Sequence, residues 1–327
     1  MRRAIRLLLL VLTLLCAAVG NFAAAADEKY PDRPIHLIDP YGVGGANDLF
    51  GRIVGARLAE ALGQPVIIEN RAGAGGNIGT EYVARAKPDG YTLLLGSNGN
   101  NTINPALYPS LPFDAAHAFA GITKLATVPV VLVASPSLPA ANLGELIQLA
   151  KSRPGALAYG SPGVGSTAHL TAALLASRTG IELLHVPYKG GGAAISGVLT
   201  GDVPLAFVVV STAQTLVQAG RVRAIAVTSI ARSSAMPAVP TVAESGVPGF
   251  DVSSWYGLLA PAGTPPEIIA RLHAETTRIL GQADVQQQFL AMGAAPIGNT
   301  PEAFDGEIRA DLARWAAVVK AAGIRAE

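Results

Sequence analysis

Cysteine is almost missing: the single one, Cys16, falls within the first 26 of 327 residues. Past that point no thiol exists, which excludes a disulfide framework, a cysteine nucleophile and a thiolate metal site there. Charged residues are scarce at 14% against 50% hydrophobic ones, a balance that excludes global disorder. No apolar run after residue 26 reaches the ~20 residues of a membrane span. Neither HExxH nor any other close pairing is found among His36, His117, His169, His185 and His273, which argues against a zinc hydrolase. A Gly-x-Ser-x-Gly elbow is also missing. Excess charge of one sign is lacking too. The formal charge is +1, and setting aside residues 1–26 leaves 21 basic against 23 acidic residues. Such a body is not built for nucleic acid.

What is present begins with an export pattern. Arg2, Arg3 and Arg6 precede an apolar run at 7–19, and Ala23 to Ala26 offer small residues for a signal peptidase. A retained anchor is the alternative. Leu15, standing before Cys16, argues against lipid attachment. We expect cleavage near Ala26, a mature chain from about Asp27, and a periplasmic product. The length suits two domains of ~150 residues each.

Strand-like runs are expected at 35–38, 66–68, 91–95, 128–134, 157–159, 183–186, 205–210, 222–228 and 254–259. Between them helical spacing is read at 47–62, 82–86, 143–150, 166–177 and 193–199, and later at 267–280, 285–292 and 301–322. Strand and helix alternating with short connections imply an α/β fold with parallel pairing.

Four Gly-rich polar loops follow strands. The first is Pro40-Tyr41-Gly42-Val43-Gly44-Gly45-Ala46-Asn47-Asp48. In an open α/β sheet ligands lie beyond the carboxyl ends of strands, and a helix N-terminus offers unpaired amides to an anion. Gly44 and Gly45 would let the backbone approach it. The plainer reading is a turn with Asn47 or Asp48 as N-cap. The second loop runs from Gly160 and Ser161 through Gly165, Ser166, Thr167 and His169. Here Ser166 could simply cap its helix and His169 could simply pack. The third carries Tyr188 and Lys189 before three glycines, and the fourth carries Ser97 and Asn98. The segment 73–79 spaces its glycines unlike a dinucleotide loop, and 69–79 reads as a surface turn before a helix.

Magnitudes favour two loops acting together. A helix N-terminus gives an anion ~0.3–2 kcal/mol, and each hydrogen bond to a charge adds ~1.5–3 kcal/mol. Micromolar affinity requires ~8 kcal/mol after rigid-body freedom is lost. One loop falls short; two closing on a dianion suffice.

Several stretches, in order, resemble the Bug family, the periplasmic solute-binding receptors of tripartite tricarboxylate transporters. They include Pro40-Tyr41 with Gly44-Gly45 and Asp48, Val66 to Arg71, Pro88-Asp89-Gly90-Tyr91, Tyr159 to Leu170, His185 to Gly192, and Trp255-Tyr256-Gly257 with Pro261 to Pro265. The resemblance implies a two-domain type II Venus-flytrap fold with crossing hinge strands. Residues 27–125 plus 226–327 would form domain 1, and 126–225 domain 2. It implies a monomer that binds a small organic acid through Tyr41, Gly44, Gly45, Ala46, Asn47, Asp48, Ser97, Asn98, Ser161, Gly165, Ser166, Thr167, His169, Tyr188 and Lys189. Membrane permease subunits would be its partners, with no cofactor, no metal and no catalysis.

Two departures stand out. Asp39 occupies a place usually apolar in the family, where its charge would oppose a second anion unless it is paired or points away. Val208 and Val209 stand where some members carry an acid and an amide, which leans away from amino-acid ligands and toward a dicarboxylate or aromatic acid without an ammonium group. The other function classes are an exported hydrolase-like enzyme using Ser166 with His169, and a ligand sensor for a membrane signalling partner.

Overall fold

The computed structural model describes residues 30–325, and the expected signal segment at 1–26 lies outside the described residues. Ten strands form one continuous sheet with helices packed on it. The strands are β1 (Ile35–Asp39), β2 (Val66–Asn70), β3 (Thr92–Ser97), β4 (Phe119–Ala134), β5 (Ala158–Ser161), β6 (Leu184–Pro187), β7 (Leu205–Val209), β8 (Arg223–Val227), β9 (Ser253–Pro261) and β10 (Ala295–Pro296). The helices are α1 (Ala46–Leu62), α2 (Asn77–Ala84), α3 (Asn104–Leu107), α4 (Leu143–Ser152), α5 (Thr167–Thr179), α6 (Gly191–Thr200), α7 (Val210–Gln218), α8 (Pro266–Leu280), α9 (Ala283–Ala291) and α10 (Pro301–Ala322).

Parallel pairing holds at the outer strands, where β1 lies between β2 and β3 and β5 lies between β6 and β7. The centre differs from the expectation of parallel pairing throughout. β9 runs antiparallel to β3 and β4, and β4 runs antiparallel to β7 and β8. β4 is also longer than its sequence pattern suggested. Its first half pairs with β9 and its second half with β7, so this one strand of 16 residues crosses from one half of the molecule to the other. Two register shifts interrupt the β9 ladder, between Gly121 and Thr123 and between Lys124 and Ala126. Bulges of that kind break the alternation that marks a strand in sequence.

Each half has its own apolar core. In the first, Phe50, Val54 and Leu58 of α1 lie buried against Leu37 and Leu95. Each such side chain contributes ~1.5–3 kcal/mol on burial. Gly51 permits the close approach, because a Cβ there would meet Leu95 at 2.7 Å. In the second, Leu132, Leu170 and Phe207 pack with Val242, Phe250 and Val252. α10 joins the two: Phe304 and Ile308 pack with Trp255, while Trp315, Val318 and Val319 belong to the second core. Among the described residues no helix is long and apolar enough to cross a membrane.

The sequence pattern predicts a helix at 82–86 after the turn that follows β2, yet α2 already begins at Asn77. Gly79 is what draws it in: a Cβ there would stand 2.8 Å from both the Arg71 carbonyl and the Pro40 Cα. This helix therefore backs loop 40–48.

Candidate functional site

Loop 40–48 stands on two buried carboxylates. Asp39 accepts hydrogen bonds from the Tyr41 amide at 3.0 Å, Asn47 Nδ2 at 3.2 Å and Asn70 Nδ2 at 2.9 Å. It is wholly buried, and that burial pushes its carboxyl up to about 6. Its carboxyl group is thus turned inward and held by neutral donors, as its position requires. Asp48 accepts from the Gly44 amide at 3.0 Å, Arg52 Nε at 2.9 Å and Asn70 Nδ2 at 3.2 Å. The Arg52 guanidinium beside it holds this carboxyl below the usual carboxylate range.

Asp48 and Asn47 are therefore scaffold, and neither is the N-cap. Asn47 donates to Asp39 and, at 2.8 Å, to the Leu95 carbonyl. The N-cap is Gly45, which has no side chain to offer, and the first intrahelical bond runs from Leu49 N to the Gly45 carbonyl. The amides of Ala46, Asn47 and Asp48 thus have no partner within the helix. Above them Gly44 and Gly45 are exposed. Tyr41 packs against Gly76, and its hydroxyl lies 3.1 Å from Ser97 Oγ. Burial pushes its phenol up to about 12.

Loop 160–167 uses most of its hydroxyls internally. Ser166 caps α5, its Oγ accepting from His169 N at 3.2 Å and donating to the Gly163 carbonyl at 2.8 Å. Ser161 is fully buried, its Oγ 2.7 Å from His185 Nε2 and 3.1 Å from the Gly163 carbonyl. The Gly165 amide, expected to face a ligand, instead donates to His169 Nδ1 at 3.1 Å. That leaves the first-turn amides of Thr167 and Ala168 without an intrahelical partner. His169 is buried and stacks on His185, with ring centroids 3.7 Å apart and planes 9° from parallel. Burial lowers both imidazoles, His169 to about 3 and His185 to about 4.

The third loop is tied to the second through Tyr188 N to the Ser161 carbonyl and Gly190 N to the Pro162 carbonyl, each 3.0 Å. Tyr188 itself turns inward, its ring lying against Gly160 and Gly197. Lys189 is exposed. The fourth loop joins the two halves. Asn98 Oδ1 accepts from Thr167 Oγ1 at 3.1 Å, and Asn98 Nδ2 donates to the Ser253 carbonyl at 3.3 Å. Side-chain contacts thus link Tyr41 to Ser97, and Asn98, the next residue, to Thr167 at the start of α5. The connection runs from Tyr41 in the first loop to the start of α5. A cavity of about 570 Å³, lined by Thr127, Ser229, Trp255 and Arg314, lies away from both loops. Another, of about 970 Å³, is lined by Tyr159, His169, His185, Leu184 and Ala321, and so reaches the stacked rings beneath the second loop.

The sequence missed the contact of Ser161 with His185, residues 24 apart in sequence. Neither this pair nor Ser166 with His169 shows, among the described residues, a carboxylate on the imidazole's other nitrogen. Poorly basic rings without an orienting acid do not make a triad.

The family model of the tripartite tricarboxylate transporter family receptor matches residues 50–324. The chain belongs to this receptor family. A Bordetella pertussis relative, Protein BugT, is 39% identical over 97% of this chain and 98% of its own length. Among solved structures, an R. palustris protein with adipate is 37% identical at a TM-score of 0.79, covering 90% of this chain and 99% of its own. MatC from Rhodopseudomonas palustris, solved with bound malate, is 33% identical at a TM-score of 0.75, covering 89% of this chain and 100% of its own. The receptor has the two-domain periplasmic binding-protein fold that the family resemblance implied, with β4 crossing between the halves.

Proposed function

We propose that this receptor captures a small dicarboxylate in the periplasm, without catalysis, and hands it to the membrane subunits of a tripartite transporter. The observation that carries this reading is the unfilled start of α1. A glycine N-cap leaves the amides of Ala46, Asn47 and Asp48 unpaired, beside a loop whose glycines lie open. The amides of Thr167 and Ala168 would take the second carboxylate. Export with cleavage near Ala26 and action as a monomer belong to the same reading.

The lobes would hinge where β4 passes from its pairing with β9 to its pairing with β7. The division at 126–225 then gains residues 242–252 and the end of α10 for the second lobe, because these pack in its core. Closure follows from contacts made only in the closed form. The adipate and malate bound to related proteins support the dicarboxylate class. Val208 is fully buried in the second lobe, so this position offers no carboxylate to an ammonium group.

A thermal-shift and calorimetric screen of the mature protein against mono-, di- and tricarboxylates tests the proposal. At a hundred times its dissociation constant a ligand stabilises by ~2.7 kcal/mol. Unchanged recovery of the acid is expected; its turnover, or no stabilisation by any carboxylate, overturns the reading.

A further inference from the structure

The second loop needs an explanation that its glycines do not supply. Gly163 and Gly165 adopt φ of 144° and 76°, so nothing in backbone preference alone selects this one shape from the many open to glycine. What selects it lies underneath. The Gly165 amide is drawn down to His169 Nδ1, and Ser161 is held by His185. The two rings stack face to face, with the Tyr159 ring 5.0 Å from His185.

One hydrogen bond fixes the proton of His169. Nδ1 of His169 must keep its lone pair to accept from an amide, so its single proton sits on Nε2. Ser161 Oγ donates to the Gly163 carbonyl and accepts from the Gly163 amide. His185 Nε2 lies 2.7 Å from that same Oγ and completes its set of hydrogen-bond partners. Every partner is neutral, as the buried, weakly basic rings require.

We infer that His169 is a positioning residue, backed by the stacked ring of His185, which pins Gly165 so that the amides of Thr167 and Ala168 stay free for the proposed anion. The Ser166-x-x-His169 spacing places an acceptor at the third helical position, where it reaches back past the N-cap much as the glutamate of a capping box does. The ring acts through the loop and does not touch the ligand. This inference rests on the proposed anion site, and its test separates the two.

The first arm uses no ligand. Amide hydrogen exchange at Gly165 is compared in the parent, His169→Phe and His169→Asn. Phe keeps a ring for stacking and loses the acceptor; Asn keeps an acceptor oxygen near the Nδ1 position. Exchange at Gly165 should quicken about tenfold or more in His169→Phe and return to within about threefold of the parent in His169→Asn. In the second arm adipate and hexanoate are titrated into the same proteins. His169→Phe should weaken adipate about tenfold and leave hexanoate, held by one loop only, within about twofold. Unchanged Gly165 exchange in His169→Phe, or equal behaviour of Phe and Asn, overturns the inference. Should the parent bind no dicarboxylate, the proposed function fails while the exchange arm still decides the role of His169.

Discussion

Loops 40–48 and 160–167 present the same device, the open start of a helix after a strand, on opposite supports. The first rests on carboxylates, Asp39 and Asp48, shared by one amide side chain, Asn70. The second rests on two neutral imidazoles. The first is uncapped, because Gly45 has no side chain; the second carries a serine cap. A loop proposed to bind an anion can therefore stand on buried carboxylates, provided their charge is consumed by inward-facing donors. The pH sensitivity of the site should then belong to the first loop, since the imidazoles titrate only near 3 and 4.

The contrast is broken most strongly by giving the first loop a cap of its own. Gly45 has φ of −71° and ψ of 167°, which an L residue adopts without strain. In Gly45→Asp the new carboxylate would occupy the α1 amides. Adipate affinity should fall about 100-fold, while stability rises by a few tenths to about 1 kcal/mol. Calorimetry and urea titration read the two effects, and a parallel loss of both would contradict the account.

Gly165→Val attacks the second loop. The substitution strains a φ of 76° and drives a Cβ to 2.3 Å from the Leu107 side chain. Strain and overpacking together cost about 2–5 kcal/mol, measured as a lowered urea midpoint. Asp48→Ala should cost less, about 1–3 kcal/mol, because Arg52 is half exposed and its share is screened.

Asp39 sharpens the comparison through pH. Its folded value is raised to about 6 from 3.8 by burial, so the folded state holds this proton more tightly than the unfolded chain. The resulting stabilisation is fully present below 3.8 and is lost as pH rises through about 6. The whole effect is at most about 3 kcal/mol. Asp48 works in the opposite sense: its depressed value stabilises above the ordinary range and fades as pH falls. Asp39→Asn should flatten the decline in stability between pH 4 and 7. An unaltered profile would place the titrating group elsewhere.

The smallest expected effect concerns the ligand's middle. With Val208 in the core, aspartate and glutamate should bind more weakly than dicarboxylates of similar length, by about tenfold or less. Tighter binding of either amino acid would contradict that.

Much of this was readable from the residues alone. Helix starts after strands, their glycines and the apolar faces of α1 and α10 follow from local periodicity, and α10 has the bounds expected for it, 301–322. What escaped is long-range or turned inward. The first half of β4 hides behind its bulges. Asn70 reaches Asp39 across 31 residues, and Ser161 meets His185 through the pairing of β5 with β6. Gly165, Ser166 and Tyr188 sit in the expected loops, yet their polar groups or rings point into the protein. Residue type locates such a loop; only packing decides which of its groups remain free.

The most direct measurement follows backbone amide resonances while adipate is titrated into the mature protein. The account predicts that Ala46, Asn47 and Asp48 shift together with Thr167 and Ala168, all with one dissociation constant. Shifts confined to a single loop, or centred on the Ser229 and Trp255 cavity, would contradict it.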